Sequence, residues 1–109
     1  SIDIYYQNLS QQWGEQISPP DRAVRSLGYN LTGSKQFTRA IEVFKYNIKN
    51  HPKSVDALSA LSYGYEIQGD TRQALEQMES ALAIADDSYP YINYLKETKA
   101  RLQAELSKN

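Results

Sequence analysis

Shifted against itself by 34 residues, the sequence falls into register over 21–54 and 55–88. Ala23 meets Ala57, Leu27 meets Leu61, Tyr29 meets Tyr63, Ala40 meets Ala74 and Glu42 meets Glu76. Similar residues pair as well: Val24 with Leu58, Ile41 with Leu75, Phe44 with Met78, and Ile48 with Leu82. An internal period of this length is the signature of stacked supersecondary units, each burying its apolar face on the next. The matched positions recur every three to four residues, which is helical spacing.

Each unit carries two apolar stripes. In the first, Ala23, Val24, Leu27 and Leu31 mark one helix, and Ala40, Ile41, Phe44 and Ile48 mark another. Thr32-Gly33-Ser34 is the expected turn between them. In the second, Leu58, Leu61 and Tyr65 precede Gly69-Asp70, and Ala74, Leu75, Met78, Leu82 and Ile84 follow. Gly69 suits the left-handed end of one helix, and Asp70 or Thr71 the cap of the next. Ala40 and Ala74 are small enough for close helix approach. Two flanks complete the chain. Residues 2–13 form an amphipathic pattern (Ile2, Tyr5, Tyr6, Leu9, Trp13) ended by Gly14. Ser18-Pro19-Pro20-Asp21 leads into the first unit, with Asp21 or Ser18 as its cap. Ser88-Tyr89-Pro90 opens a last helix with Pro in its first turn, buried through Ile92, Leu95, Leu102 and Leu106. Lys96, Glu97, Arg101 and Glu105 form the polar outer side of this capping helix. The expected architecture is one all-α domain of about six helices and no strand. It divides into an N-terminal helix and linker (1–20), two repeats (21–54 and 55–88) and a capping helix (89–109).

The 34-residue period with helix–turn–helix units resembles the tetratricopeptide repeat. The early Ala of the second helix with an aromatic four residues on is seen in Ala40 and Phe44, and as Ala74 with Met78 in the next unit, where Ala81 fills the later small position. Gly28 stands at the family's glycine, replaced by Ser62 in the second unit. Tyr65 holds the aromatic position that Leu31 takes in the first, and Pro52 ends one unit where Asp86 ends the other. The resemblance implies a short right-handed superhelix whose concave groove takes extended peptides or helices. Arg22, Arg25 and Tyr29 would line it from the first unit, Asp56, Ser59, Tyr63 and Glu66 from the second, and Asn93 and Glu97 from the last helix. Tyr29 and Tyr63 have a second reading as rings packed between adjacent helices with wet hydroxyls. The Lys and Asn residues of the carboxylate clamp in chaperone-binding members have no counterparts, since Tyr29 and Tyr94 stand in two of those places.

A narrower likeness runs over residues 2–85. Tyr5-Tyr6-Gln7-Asn8-Leu9-Ser10, Trp13-Gly14, Pro19-Pro20 and Leu27-Gly28-Tyr29 are similar to the C-terminal helical extension of bacterial esterases of the α/β-hydrolase superfamily. Those esterases resemble siderophore esterases. The likeness continues through Ile41 to Pro52, with Phe44 and Asn47, and through Asp56 to Tyr65. It implies a non-catalytic C-terminal domain of a hydrolase, acting by packing, dimerisation or partner recruitment. The alternative is a free-standing adaptor that binds a peptide in its groove.

Composition narrows the chemistry. With 12 Lys and Arg against 13 Asp and Glu, the net charge of -1 lacks the basic excess of a dedicated nucleic-acid binder. No apolar run reaches the roughly 18 residues of a membrane span. The absence of Cys removes disulfides and thiolate sites, and leaves cytoplasm and periplasm both open to a soluble chain. No Gly-x-Ser-x-Gly elbow exists, so no catalytic residue is assigned and an enzyme is not expected. The single His51, before Pro52, reads as a helix-end residue. Asp86-Asp87 lack a His or Cys to complete a metal site, and no cofactor motif is present. The expected partners are proteins: the chain's own catalytic domain, a peptide, or a second copy. Tyr5, Tyr6 and Trp13 are the candidate interface for a homodimer.

Overall fold

The computed structural model describes residues 19–108. They form five helices, α1 (Asp21–Gly33), α2 (Phe37–Asn50), α3 (Val55–Gln68), α4 (Thr71–Ile84) and α5 (Ile92–Ser107), with no strand among the described residues. The fold is therefore all-α. The expected N-terminal helix over 2–13 and the cap Ser18 lie outside the described residues. Each helix packs on the next in chain order, and α1 also touches α3, as a helical repeat would arrange them. Displaced by 34 residues, the bounds of α2 become those of α4. Among the described residues no helix is long and apolar enough to cross a membrane.

The turns repeat as well, at a position the sequence disguises. At the end of α3, Gly69 has φ 93°, and the Asp70 and Gly69 amides donate to the Tyr65 and Glu66 carbonyls. This is the paired bonding of a left-handed helix end. Thirty-four residues earlier Lys35 has φ 62°, and the Gln36 and Lys35 amides donate to Leu31 and Thr32 in the same pattern. The expected break at Thr32-Gly33-Ser34 therefore moves on: α1 runs through Gly33, and Lys35 makes the reversal despite its Cβ.

The core runs along the array through Ala40, Phe44, Leu58, Leu61, Tyr65, Ala74, Met78, Ala81, Leu95 and Leu102. Ala40 and Ala74 are fully buried, which lets each helix pair close tightly. The stripe of α1 departs from expectation. Val24, Gly28 and Thr32 are its buried residues, whereas Ala23 and Leu27 are exposed. The reason is Phe44, whose ring presses so closely on Gly28 that a Cβ there would meet Cε1 at 2.2 Å. In the second unit Ser62 takes the place of Gly28 and Met78 that of Phe44. The flexible Met leaves room for a hydroxyl, which donates to the Ala74 carbonyl at 2.8 Å. Ile84, the last residue of α4, stays exposed.

Four helix starts decide how the elements join. Ser54 and Asp70 cap α3 and α4 by accepting from the Ala57 and Gln73 amides, so Asp70 rather than Thr71 is the cap of α4. Asp21 is not a cap: Pro20 precedes α1 without a side-chain cap bond, and Asp21 is the first helical residue. Nor does Pro90 lie in the first turn of α5, which begins at Ile92 after a turn through Tyr91.

Candidate functional site

What Asp21 does instead organises one side of the array. Its carboxylate accepts from Ser54 Oγ at 2.6 Å, Asn47 Nδ2 at 2.7 Å and Arg25 Nε at 2.8 Å. One residue thus ties α1 to α2 and to the start of α3. Partial burial pushes its pKa up, but the donations from Ser54, Asn47 and Arg25 outweigh that and hold it below the usual carboxylate value. Asn47 is 1% exposed, and its Oδ1 has no partner among the described residues. Nearby, His51 Nε2 meets the Pro19 carbonyl at 2.6 Å, which requires the proton on Nε2. The lone histidine thus fastens the segment leading into α1 to the C-terminal end of α2.

The hub continues into a cleft. Arg25, fixed by Asp21, reaches Asp56 Oδ2 on α3 at 3.8 Å through Nη2. Asp56 also accepts from the Tyr89 hydroxyl, which anchors the α4–α5 connection across the first helices of both units. Burial, and then donation to the Asp56 carboxylate, push the Tyr89 phenol well above its usual pKa. Arg25 and Tyr29 of α1, Asp56 and Ser59 of α3, Tyr89 and Tyr91 of the connection, and Tyr94 of α5 line an open cleft of about 300 Å³. That is the lower end of the range for small-ligand or peptide sites.

Aromatic pairs stand in and beside the cleft. Tyr29 and Tyr63 have ring centroids 5.7 Å apart at 56°, and Tyr89 and Tyr91 lie 5.9 Å apart at 73°. Tyr29 also packs edge-on against Phe44 at 5.3 Å. The two readings of the matched tyrosines therefore coincide in Tyr29, whose ring packs between helices while part of it faces the cleft. Burial pushes the Tyr29 phenol above its usual pKa. Tyr91 and Tyr94 are 64% and 53% exposed.

Of the residues marked in the sequence, Arg25, Tyr29, Asp56 and Ser59 are brought together here. Tyr63 lies beside them through its contact with Tyr29. Glu66 is half-buried and pairs instead with Arg101 of α5, with Arg101 Nη2 donating to Oε1 at 3.1 Å. Arg22, Asn93 and Glu97 are exposed and do not line the cleft. Tyr5, Tyr6 and Trp13 lie outside the described residues. Sequence reasoning missed Tyr89 and Tyr91, although three of the nine tyrosines fall within residues 89–94. That clustering was the available signal. Among the described residues no group of three His, Asp or Glu side chains could hold a metal ion. The site offers ring faces, hydroxyl donors and a neutralised Arg–Asp pair, a set suited to binding. No protein-family model matches the sequence, and no curated protein matches it significantly.

Proposed function

We infer that the chain is a non-catalytic protein-contact domain, a short right-handed array of tetratricopeptide type, and that the face shared by α1, α3 and α5 receives an extended peptide. The observation that carries this is the cleft itself, in which exposed Tyr91 and Tyr94 stand over a floor fixed by the Asp21–Arg25–Asp56–Tyr89 chain of contacts. Exposed aromatic rings on a rigid support are what peptide-binding surfaces use, because they give contact area with little side-chain entropy to lose. The 34-residue period and the recurring left-handed turns at Lys35 and Gly69 support the repeat reading. The experiment is selection of a random displayed peptide library on the immobilised chain. Enriched peptides should lose at least tenfold in affinity on Tyr91→Ala/Tyr94→Ala. No enrichment, or enrichment indifferent to those substitutions, overturns the reading.

A second reading makes the array the C-terminal domain of a bacterial esterase. It rests on the likeness over residues 2–85, and one contact favours it. Pro19 is buried and its carbonyl is held by His51, so the backbone just ahead of α1 is fixed to the array. A fixed attachment point of that kind suits a domain held in one orientation against another. On this reading the purified chain hydrolyses no activated ester. Turnover abolished by His51→Ala would refute the non-catalytic assignment.

A further inference from the structure

Resting on the peptide-groove reading, we propose that the occupant of the cleft is an uncharged, proline-rich segment in the polyproline II conformation. Charge is the first reason. The two charges of the lining, Arg25 and Asp56, lie 3.8 Å apart and offset each other, and Asp21 outside the lining holds Arg25 at 2.8 Å, so the cleft offers a charged ligand no unpaired partner. Hydrogen-bonding capacity is the second. The cleft's one carboxylate, Asp56, already accepts from Tyr89 and faces Arg25. Among the described residues the hydroxyls of Tyr91, Tyr94 and Ser59 have no hydrogen-bond partner, so each can donate to a ligand carbonyl, while the cleft's anionic acceptor is engaged. A ligand rich in carbonyl acceptors uses these donors and does not need the carboxylate.

A proline-rich strand has that character. Proline has no N–H to satisfy, and the carbonyls of polyproline II make no internal hydrogen bonds. Ring geometry is the third reason. Tyr89 and Tyr91 meet at 73°, and Tyr29 and Tyr63 at 56°. Rings set at such angles leave ridges with slots beside them, the relief that aromatic-lined grooves present to prolines. A cleft of about 300 Å³ suits a few residues of such a strand rather than a folded partner. At about 3.1 Å per residue, one turn of three residues spans about 9 Å. The preformed strand also has little conformational freedom to lose on docking.

The test is fluorescence-anisotropy titration of labelled nonaproline with the full chain, against a labelled Gly-Ser peptide of equal length. Nonaproline should bind at least tenfold more tightly than the control. Tyr94→Ala and Tyr91→Ala should each weaken it at least fivefold. Tyr94→Phe, which keeps the ring and removes the donor, should weaken it by a smaller factor. Both tyrosines are exposed, and circular dichroism of each variant checks that the helices are retained. Equal binding of the two peptides, or nonaproline binding unchanged in both alanine variants, overturns the proposal. If library selection yields Tyr94-dependent peptides without proline, the ligand class is wrong and the groove reading survives. If neither nonaproline nor any selected peptide binds, both fail.

Discussion

Gly28→Ala should unfold this domain far more readily than its small size suggests. A Cβ at Gly28 would lie 2.2 Å from Phe44 Cε1, 2.6 Å from Cδ1 and 2.7 Å from Cζ. Favourable carbon–carbon separations are about 3.5–4.0 Å, so the ring or α1 must move by more than about 1 Å. Phe44 cannot retreat freely. It is fully buried, and Gly64 of α3 faces its other edge so closely that a Cβ there would meet Cδ2 at 3.0 Å. Overpacking of a filled core costs about 1–3 kcal/mol, and contact this close belongs at the upper end. Replacing a helical glycine by alanine returns about 1 kcal/mol. The net loss is about 2 kcal/mol, a fall in Tm of about 8–16 °C for a domain of this size. Urea unfolding followed by circular dichroism measures it. Gly33→Ala is the internal control, because nothing lies within 4 Å of a Cβ there and the substitution should be neutral or slightly stabilising. Gly28→Ser combined with Phe44→Met recreates the Ser62–Met78 pair of the second unit. It should recover at least about 1 kcal/mol relative to the sum of the single changes. Equal stability of Gly28→Ala and Gly33→Ala would refute the close packing of α1 on Phe44.

Other substitutions test the remaining parts. Lys35→Gly should stabilise by about 0.5–1 kcal/mol, since a left-handed L-residue costs about 1–2 kcal/mol and glycine gives back part of that as unfolded-state entropy; urea midpoints read it. Asp21→Ala should cost about 1–3 kcal/mol by leaving the buried Asn47 amide without its acceptor. The same carboxylate gives an acid signature. Its folded pKa lies below the unfolded value, so its contribution is present above the ordinary carboxylate pKa and is lost as pH falls through the folded one. Stability measured between pH 5 and pH 2 should therefore fall less steeply in Asp21→Asn. Tyr89 gives the alkaline counterpart: its folded pKa is raised, so its contribution is full below the ordinary tyrosine value near 10 and is lost as pH rises through the folded one. Tyr89→Phe should flatten the loss of stability above about pH 10, and phenolate absorbance should show one late-titrating tyrosine fewer.

The helices were legible because their burial is periodic. The shift of 34 residues that aligns Ala40 with Ala74 also carries α2 onto α4. The joints were less legible, because tertiary contacts set them. Gly33 looks like the turn residue, yet the reversal falls on Lys35, where two backbone bonds hold a side-chain-bearing residue in a conformation that suits glycine. Asp21 looks like a cap, yet Ser54 and Asn47, 33 and 26 residues away, claim its carboxylate. The same holds at the cleft. Arg25, Tyr29, Asp56 and Ser59 are among the groove residues that the resemblance to the tetratricopeptide repeat implies, whereas Tyr89 and Tyr91 reach the cleft through an irregular connection placed by the bond from Tyr89 to Asp56. Periodicity does not encode where such a connection folds back. The same resemblance implies Glu66 for the groove, and its partner Arg101, 35 residues on, draws it to α5.

The most direct test of the cleft is amide chemical-shift mapping of the isotope-labelled chain during titration with a library-selected peptide. Saturable shifts centred on Arg25, Tyr29, Asp56, Ser59 and Tyr94 are the predicted result. Shifts confined to the α2 and α4 surfaces, with those five residues unmoved, would contradict it.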